Sequence, residues 1–470
     1  MAEDVAAPPA PTVEGGNGAP PPVPETGEAS FRAKAGWALF DWAYQPFFAL
    51  SAFVFAPYFA ATLVGDPVRG QTLWGTMLGL SGIAVAIFSP VFGAIADAAG
   101  RQKPWVLVFS VVTAIASAAL WFAGAGASVT TVLIVFGVAT AAAEFAAVFN
   151  NAMLPGLVPK SKIGSLSGIG WGLGYAGGLV ALVFVLLALV LPETPLFGID
   201  PSEHEAERLV GPISSVWLAL FLVPFFVYTP DRAGGGVSPL TAAREGVARL
   251  AATLAKARAL KNAGRFLLAR MLYQDGLTAL LSFAGLYGAG VFGWSTTTLG
   301  LFAIILILAA VPGSFAGGFL DDRIGAKPTV LLAVGGLTVG AAGALTVEPD
   351  RLFFMFPVDT PPEGAAPFSG TAERVFLGFG LLMGLCVGPA QASSRSLMAR
   401  IAPPGMISEF YGLFAFSGKA TTFAAPLLIA AATSATGTQS IGLMVVIAFL
   451  VAGFLLFLGV REEQAVLTER

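Results

Sequence analysis

The sequence predicts an all-α membrane protein in which twelve transmembrane helices form two pseudo-symmetric six-helix bundles. Three observations predict this: the composition, the number of long apolar stretches and an internal repeat. Of the 470 residues, 56% are hydrophobic and only 11% are charged, whereas soluble domains carry about 25% charged residues. Because so few charges could not cover the surface of a soluble protein of this size, the expected solvent is the lipid bilayer.

The apolar stretches are long enough to cross a membrane, since a spanning helix needs about 20 mainly apolar residues. Twelve stretches meet this length, at residues 36–62, 72–97, 104–125, 128–152, 164–191, 212–229, 264–290, 295–320, 328–346, 373–398, 408–433 and 438–460. Residues 1–30 are rich in Pro, Ala, Gly and Glu and lack the basic start and apolar run of a secretory signal. They are predicted to be a disordered tail, and 462–470 is predicted to be a short second tail.

The positive charges predict the orientation of the spans. With a cytoplasmic N-terminus, 19 of the 25 Lys and Arg residues fall in inner segments. This bias predicts a multi-pass protein of the cell (inner) membrane with both termini cytoplasmic. The longest inner segment, 230–263, separates the predicted halves, 31–229 and 264–461. Apolar residues at helical spacing among its basic ones predict an amphipathic helix on the membrane surface, and a solvated tether is the alternative.

An internal repeat relates the two halves. The loop after span two reads Gly-x3-Asp-x2-Gly from Gly93, followed by Lys103-Pro, and the loop after span eight reads the same from Gly318, followed by Lys327-Pro. Parallel repeats of six helices describe the major facilitator architecture.

Charges in these loops predict a latch at the inner ends of the helices that breaks and re-forms as the halves rock. An acid that ends its helix there can meet the N-terminus of a neighbouring helix, although an ordinary polar loop is the alternative. The predicted gating residues are Gly93, Asp97, Arg101, Lys103, Asp322, Arg323 and, near the inner end of span ten, Arg395.

Several short motifs resemble one transporter family. They are Trp37-Ala-Leu-Phe-Asp41-Trp42 in span one, Phe149-Asn150-Asn151 in span four, Gly170-Trp171-Gly172 in span five, Tyr273-Gln274-Asp275-Gly276 in span seven and Gln391 through Arg395 in span ten. Together they resemble the bacterial UMF-type facilitators, which are related to the vacuolar amino-acid effluxers of autophagy. The resemblance implies a major facilitator fold and a transport role. Amino-acid export belongs to the eukaryotic relatives, so an amino acid or related metabolite is one candidate solute.

Ionisable side chains inside apolar spans are costly and usually mark function. We predict a substrate or ion-coupling site formed by Asp41, Glu144, Arg270, Gln274, Asp275, Gln391 and Lys419. Each ionisable member of this set could instead be a structural partner of an opposite charge. Arg270 and Asp275 point about 140° apart on a helix, so each is expected to need another partner.

Other function classes lack support in the sequence. One cysteine, Cys386, and one histidine, His204, exclude a disulfide within the chain and argue against a metal site or a His-dependent enzyme. The Gly172-x-Gly174-x-x-Gly177 pattern lies in an apolar span without a βα unit, so no dinucleotide cofactor is predicted. Net charge of −3 gives no support to nucleic-acid binding.

The sequence therefore predicts a monomeric secondary transporter that moves a small polar solute by alternating access, coupled to protons or sodium. A non-transporting membrane receptor or lipid-handling protein on the same scaffold is the alternative. Import or export, and symport, antiport or uniport, remain open at this point.

Overall fold

A computed structural model describes residues 28–99, 101–158, 163–192, 195–231, 261–362, 364–401, 413–414 and 416–462. Among them, eleven helices are long and apolar enough to cross a membrane, and a twelfth apolar helix is shorter. The predicted amphipathic helix lies outside the described residues, as do the loops at 159–162 and 402–412. The all-α membrane fold is thus confirmed.

The first helix, α1, runs Phe31–Leu50 and continues through π-helical turns at Ser51–Phe55 and Phe59–Leu63 to form one long span, Phe31–Leu63. Ser30 begins it by accepting a hydrogen bond from the Ala33 amide. The other helices are α2 (Pro67–Ala99), α3 (Lys103–Ala119), α4 (Val129–Met153), α5 (Ile163–Val185), α6 (Glu205–Phe221), α7 (Lys261–Phe292), α8 (Thr296–Ile324), α9 (Ala326–Leu345), α10 (Thr371–Ile401), α11 (Ala424–Thr436) and α12 (Gln439–Leu458).

The same helix pairings recur in both halves of the chain. In the N-terminal half α4 packs against α2 and α3, and α6 packs against α1 and α3. In the C-terminal half α10 packs against α8 and α9, and α12 packs against α7 and α9. Two six-helix units with the same internal packing are what the sequence repeat predicts.

Most predicted spans lie within a few residues of the observed helices, but the sixth starts earlier than predicted. The apolar pattern places its start at residue 212, whereas α6 begins at Glu205 and is followed by a short helix, Val223–Tyr228. Glu205 and Glu207 in the first turn lower the local hydropathy, so the apolar pattern misses this start. Acidic residues are favourable in the first turn because it is the positive end of the helix dipole.

The eleventh span is interrupted near its middle. Residues 416–417 are helical, 418–423 form successive turns, and α11 begins at Ala424. The turns contain hydrogen bonds from the Lys419 and Ala420 amides to the Phe416 carbonyl. The prediction of one regular helix over 408–433 is therefore wrong in the described part. Irregular backbone at membrane depth is tolerated where it is buried in protein or lines a cavity.

Three short strands lie between α9 and α10: β1 (Val347–Glu348), β2 (Arg351–Leu352) and β3 (Phe356–Pro357). They pair antiparallel in the order β1-β2-β3. By the positive-charge prediction this small sheet is on the outer side. "Outer" and "inner" below refer to that predicted orientation.

Candidate transport site between the two halves

Two of the predicted ionisable residues within spans, Glu144 and Lys419, meet across the two halves, and Asp41 lies within electrostatic range of Arg395 on the other half. The N-terminal half contributes Asp41 on α1, Glu144 on α4 and Tyr175 on α5. The C-terminal half contributes residues of α7, α10 and the turns before α11. The helices determine where most of these side chains point. The turns at 418–423 add a segment of irregular backbone beside them.

An ion pair joins the halves at mid-depth. The Lys419 ammonium donates to Oε2 of Glu144, across 275 residues of sequence. Glu144 lies nine residues before the end of α4 and fifteen after its start, which places it about 14 Å and 22 Å along the helix from the two ends. The Glu144 and Lys419 side chains are 25% and 45% exposed. A pair so far from both membrane faces yet partly exposed indicates a wet space between the halves.

Arg270 is held by the residues that precede the interruption. Its Nη1 donates to the Phe414 carbonyl at 2.7 Å and to the Ser417 hydroxyl at 2.9 Å. Its guanidinium carbon also lies 3.6 Å from the centre of the Phe414 ring, a cation–π arrangement. The guanidinium also packs closely on Gly418, where a Cβ would lie 2.9 Å from Nη1. As expected from helix geometry, Arg270 finds partners other than Asp275.

Asp275 is buried, and the Thr421 hydroxyl is a hydrogen-bond donor close to its carboxyl group. Its relative exposure is 1%, and neither carboxylate oxygen is hydrogen-bonded. The Thr421 hydroxyl faces it and Arg270 lies within electrostatic range, yet the Thr421 hydroxyl is also buried without a partner. An ionised carboxylate in such a place is costly. The site therefore suits a carboxyl that is protonated or that meets a cation.

Asp41 lies against the glycines of α5. A Cβ at Gly170 would be 2.6 Å from its Oδ2, and a Cβ at Gly174 would be 3.3 Å from its Cβ. The missing side chains allow α1 and α5 to approach closely. Asp41 is within electrostatic range of Arg395 on α10, across the gap between the halves.

Gln391 and Gln274 complete the predicted site. The Gln391 side chain faces the Tyr175 hydroxyl of the other half, with Arg395 within electrostatic range of the same tyrosine. Gln274 lies next to Asp275 on α7, and its amide reaches only the Thr278 hydroxyl, at a long 3.5 Å. Among the described contacts, Gln391 is therefore the better placed of the two to touch both halves.

Neutral groups close the outer part of the interface. Nε2 of Gln71, on α2, donates to the Thr433 hydroxyl at 2.8 Å and to the Gln439 carbonyl at 3.2 Å. The Gln439 amide in turn donates to the Pro67 carbonyl at 3.1 Å. Close backbone packing accompanies these bonds, because a Cβ at Gly285 of α7 would lie 2.1 Å from the Ala52 carbonyl oxygen.

The duplicated loops make matching contacts inside each half. In the first, the Asp231 carboxylate accepts from the Gln102 amide at 2.8 Å, while the Lys103 ammonium donates to the Phe226 carbonyl at 2.9 Å. In the second, Glu462 accepts from the Ala326 and Lys327 amides at 3.2 Å, while the Lys327 ammonium donates to the Leu458 carbonyl at 3.0 Å.

These contacts do not test the predicted latch. The contacts of Lys103 stay within its own half, and Arg323 is exposed and stacks on Phe319 of its own helix at 4.0 Å. Arg101 is exposed. The side chains of Asp97 and Asp322 lie outside the described part, so the gating role of these acids and of Gly93 stays a prediction.

Sequence reasoning did not single out several neutral residues that shape the site. Thr421 and Ser417 flank Lys419, and Tyr175 meets Gln391. Tyr273 was quoted only as part of a motif, yet its hydroxyl pairs with the Ser394 hydroxyl at 2.5 Å and helps to join α7 to α10. Hydroxyls inside apolar spans are common, so only their neighbours in space reveal them.

The overall structure resembles solved transporters. It superposes on a D-xylose–proton symporter with a TM-score of 0.66 at 13% identity, over 92% of this chain and 97% of that one. It also superposes on a bacterial homologue of the human lysosomal transporter Spinster, in an inward-facing and unoccupied conformation, with a TM-score of 0.60 at 16% identity, over 93% and 98%. Two packed six-helix units of this kind define the class of proteins with the major facilitator fold.

Within that class, the chain belongs to the family described as vacuole effluxer Atg22 like, whose model matches residues 72–469. A related protein is YxiO of Bacillus subtilis, described as an uncharacterised MFS-type transporter. It is 24% identical over 431 residues, which is 91% of this chain and 94% of that protein. Autophagy-related protein 22 of Cryptococcus neoformans is 30% identical over 294 residues, 61% of this chain and 48% of its own. The match thus spans about half the length of this fungal relative.

Proposed function

We propose that this protein is a secondary active transporter that moves a small polar solute by alternating access of its two halves, coupled to protons or sodium ions. An amino acid or related metabolite is the candidate solute class, in line with the resemblance to the vacuolar amino-acid effluxers. The proposal includes the cell membrane as the location, cytoplasmic termini and a monomeric state.

The observation that carries the proposal is the Glu144–Lys419 ion pair. Charges deep in a membrane protein are kept where they bind solute or ions. Both side chains are partly exposed, so a solute entering between the halves could reach them. An anionic group of the solute would compete with Glu144 for the Lys419 ammonium, and a cationic group would compete with Lys419 for Glu144.

Asp275 supports ion coupling in the same site. It is a buried acid with unsatisfied oxygens beside the unsatisfied Thr421 hydroxyl. Binding a proton or a sodium ion would relieve the cost of an unpaired carboxylate. Because Thr421 and Lys419 lie in one interrupted segment, occupancy at Asp275 could alter the position of Lys419, which would couple ion and solute.

Transport assays in proteoliposomes test the proposal. Purified protein is assayed with a panel of amino acids and related polar metabolites, with and without a pH gradient and with sodium on either side. We expect Asp275→Asn to abolish gradient-driven accumulation while sparing solute exchange, because exchange needs no net ion movement. Lys419→Ala should weaken solute binding by about 10-fold or more, since a hydrogen bond to a charged group contributes roughly 1.5–3 kcal/mol.

Matched controls remove the same groups elsewhere. Asp350→Asn changes an exposed outer acid that pairs only with Arg351 in the described contacts. Lys34→Ala changes a partly exposed lysine that pairs with Glu28. Both should transport like the unchanged protein. A protein that binds no solute of the panel yet extracts or moves lipid between vesicles would contradict the proposal and favour a lipid-handling role.

A further inference from the structure

The small outer sheet ends in a turn made of large apolar residues. β2 and β3 are paired through Arg351 with Pro357 and Leu352 with Phe356. The turn between them contains Phe353, Phe354 and Met355, and it is closed by a hydrogen bond from the Met355 amide to the Leu352 carbonyl at 3.1 Å. We call residues 353–356 the apolar tip.

All four side chains of the apolar tip are exposed in the protein alone. Their relative exposures are 43% for Phe353, 58% for Phe354, 71% for Met355 and 58% for Phe356. Turns that face water usually carry Gly, Asn, Asp or Ser. Four consecutive large apolar side chains on such a turn indicate that something apolar covers them.

The backbone of the tip does not call for phenylalanine. Phe353 and Phe354 have φ values of 53° and 60°, a left-handed conformation that glycine and asparagine adopt more readily. The turn would form at lower cost with those residues. Phenylalanine at both positions therefore indicates a use for the side chains themselves.

The tip lies level with the outer end of a membrane-spanning helix. The Phe353 ring is perpendicular to the Phe379 ring at 6.4 Å between centroids, and the Phe379 ring touches α9 at Gly343, two residues before that helix ends. The 20 residues of α9 extend about 30 Å, one hydrocarbon thickness. The tip is thus at the expected depth of the membrane–water interface, where aromatic side chains are enriched.

We propose that the apolar tip inserts into the interfacial region of the outer leaflet and anchors the α9–α10 loop to lipid. The neighbouring helix α9 also has exposed apolar side chains, since Leu332 and Val339 are 61% and 59% exposed. The tip itself carries no charge, and the nearby Arg351 and Asp350 pair with each other at 3.8 Å. These features fit a lipid interface, where burying apolar and aromatic surface is favourable without a specific charged partner.

Nitroxide accessibility in lipid nanodiscs tests this proposal. Replacing the single cysteine (Cys386→Ala) gives a background in which Met355→Cys carries the label. Ser202→Cys, in the exposed outer loop before α6, serves as the aqueous reference, and Ile115→Cys, an exposed apolar position on α3, serves as the lipid reference. We expect the ratio of collisions with oxygen to collisions with a water-soluble nickel chelate at 355 to lie between the two references.

A second variant separates anchoring from folding. Phe354→Asn suits the left-handed backbone and should leave the fold intact, yet it should move the label at 355 toward the Ser202 value. A label at 355 that matches Ser202 in the unchanged tip would overturn the proposal. So would a label inaccessible to both reagents, because that outcome would mean that another protein surface covers the tip.

Discussion

The outer and middle parts of the interface between the halves are built from different kinds of residue. In the outer part, glycines let backbones touch, as at Gly285 and Ala52, and the side chain of Gln71, which is 0% exposed, is hydrogen-bonded across to the other half. In the middle part, the Glu144–Lys419 pair is partly exposed. Close, neutral packing closes one end, whereas a partly exposed charge pair lies at the centre.

This difference suggests how the interface could open and close. Many short-range contacts in the outer part must break together, because each depends on the halves being in register. The central charges act over longer distances, so they can keep favourable interactions while the halves tilt. The three predictions that follow alter the central pair, the outer bonds and the inner ends, in decreasing order of expected effect.

The largest effect is expected at the central pair. Glu144→Lys places two lysines together and should reduce transport by about 10-fold or more, since each 1.4 kcal/mol of lost interaction corresponds to a factor of ten. The double variant Glu144→Lys/Lys419→Glu restores opposite charges. We expect it to recover thermal stability in detergent but not transport, because the positions at which a solute would meet each charge are exchanged.

The double variant makes this prediction informative. Full recovery of proteoliposome uptake would mean that the pair only holds the halves together. Loss of stability in both the single and the double variant would mean that local packing, rather than charge, decides the outcome.

An intermediate effect is expected at the outer bonds. Gln71→Leu removes two hydrogen bonds to the other half, a loss of about 1–2 kcal/mol in all. The population open on the outer side should then rise about 10-fold. Double electron–electron resonance between labels at Ser202 and Thr360, on exposed outer loops of the two halves, would measure it.

Thr76→Val is the matched control, since the Thr76 hydroxyl donates to the Thr72 carbonyl of its own helix. Its distance distribution should equal that of the unchanged protein. Equal distributions for Gln71→Leu and Thr76→Val would mean that glycine packing alone closes the outer side.

Much of the fold could be predicted from the sequence because lipid imposes a simple pattern. Long apolar runs predicted eleven of the spans, and rare ionisable residues such as Asp41 and Asp275 stood out within them. The interruption at 418–423 could not be predicted, since Gly418, Lys419 and their small neighbours continue an apolar run without a proline. The partnership of Lys419 with Glu144 joins separate halves, and nothing local to either residue indicates it.

Two acids show the limit of assigning boundaries from hydropathy. Asp231 was assigned to the linker and Glu462 to the C-terminal tail, because both follow the last apolar residues of their halves. The structure places both against helix N-termini, where they accept backbone hydrogen bonds. A carboxylate is favoured there by the helix dipole and the free amides, but only the folded structure shows which helix each acid meets.

The smallest effect is expected at Glu462, which braces one half internally. It pairs with Arg400 and accepts the Ala326 and Lys327 amides. Partial burial opposes its ionisation, but these hydrogen bonds outweigh it and lower the pKa of Glu462 from its ordinary value of 4.5. Because the pKa is lowered on folding, the stabilisation is fully present above pH 4.5 and is lost as the pH falls through the lower, folded value.

Glu462→Gln should therefore cost about 1 kcal/mol or less near pH 7, because the pair is partly exposed to solvent. Its thermal stability in detergent should approach that of the unchanged protein as the pH drops below 4.5. The contacts of Glu462 lie within one half, so the outer distances between Ser202 and Thr360 should not change, unlike those of Gln71→Leu. Glu348→Gln, which removes an acid on the outer side, is the control and should not show the loss at neutral pH. If the outer distances shift in Glu462→Gln, contacts within one half also affect how the two halves close. That outcome would contradict the prediction.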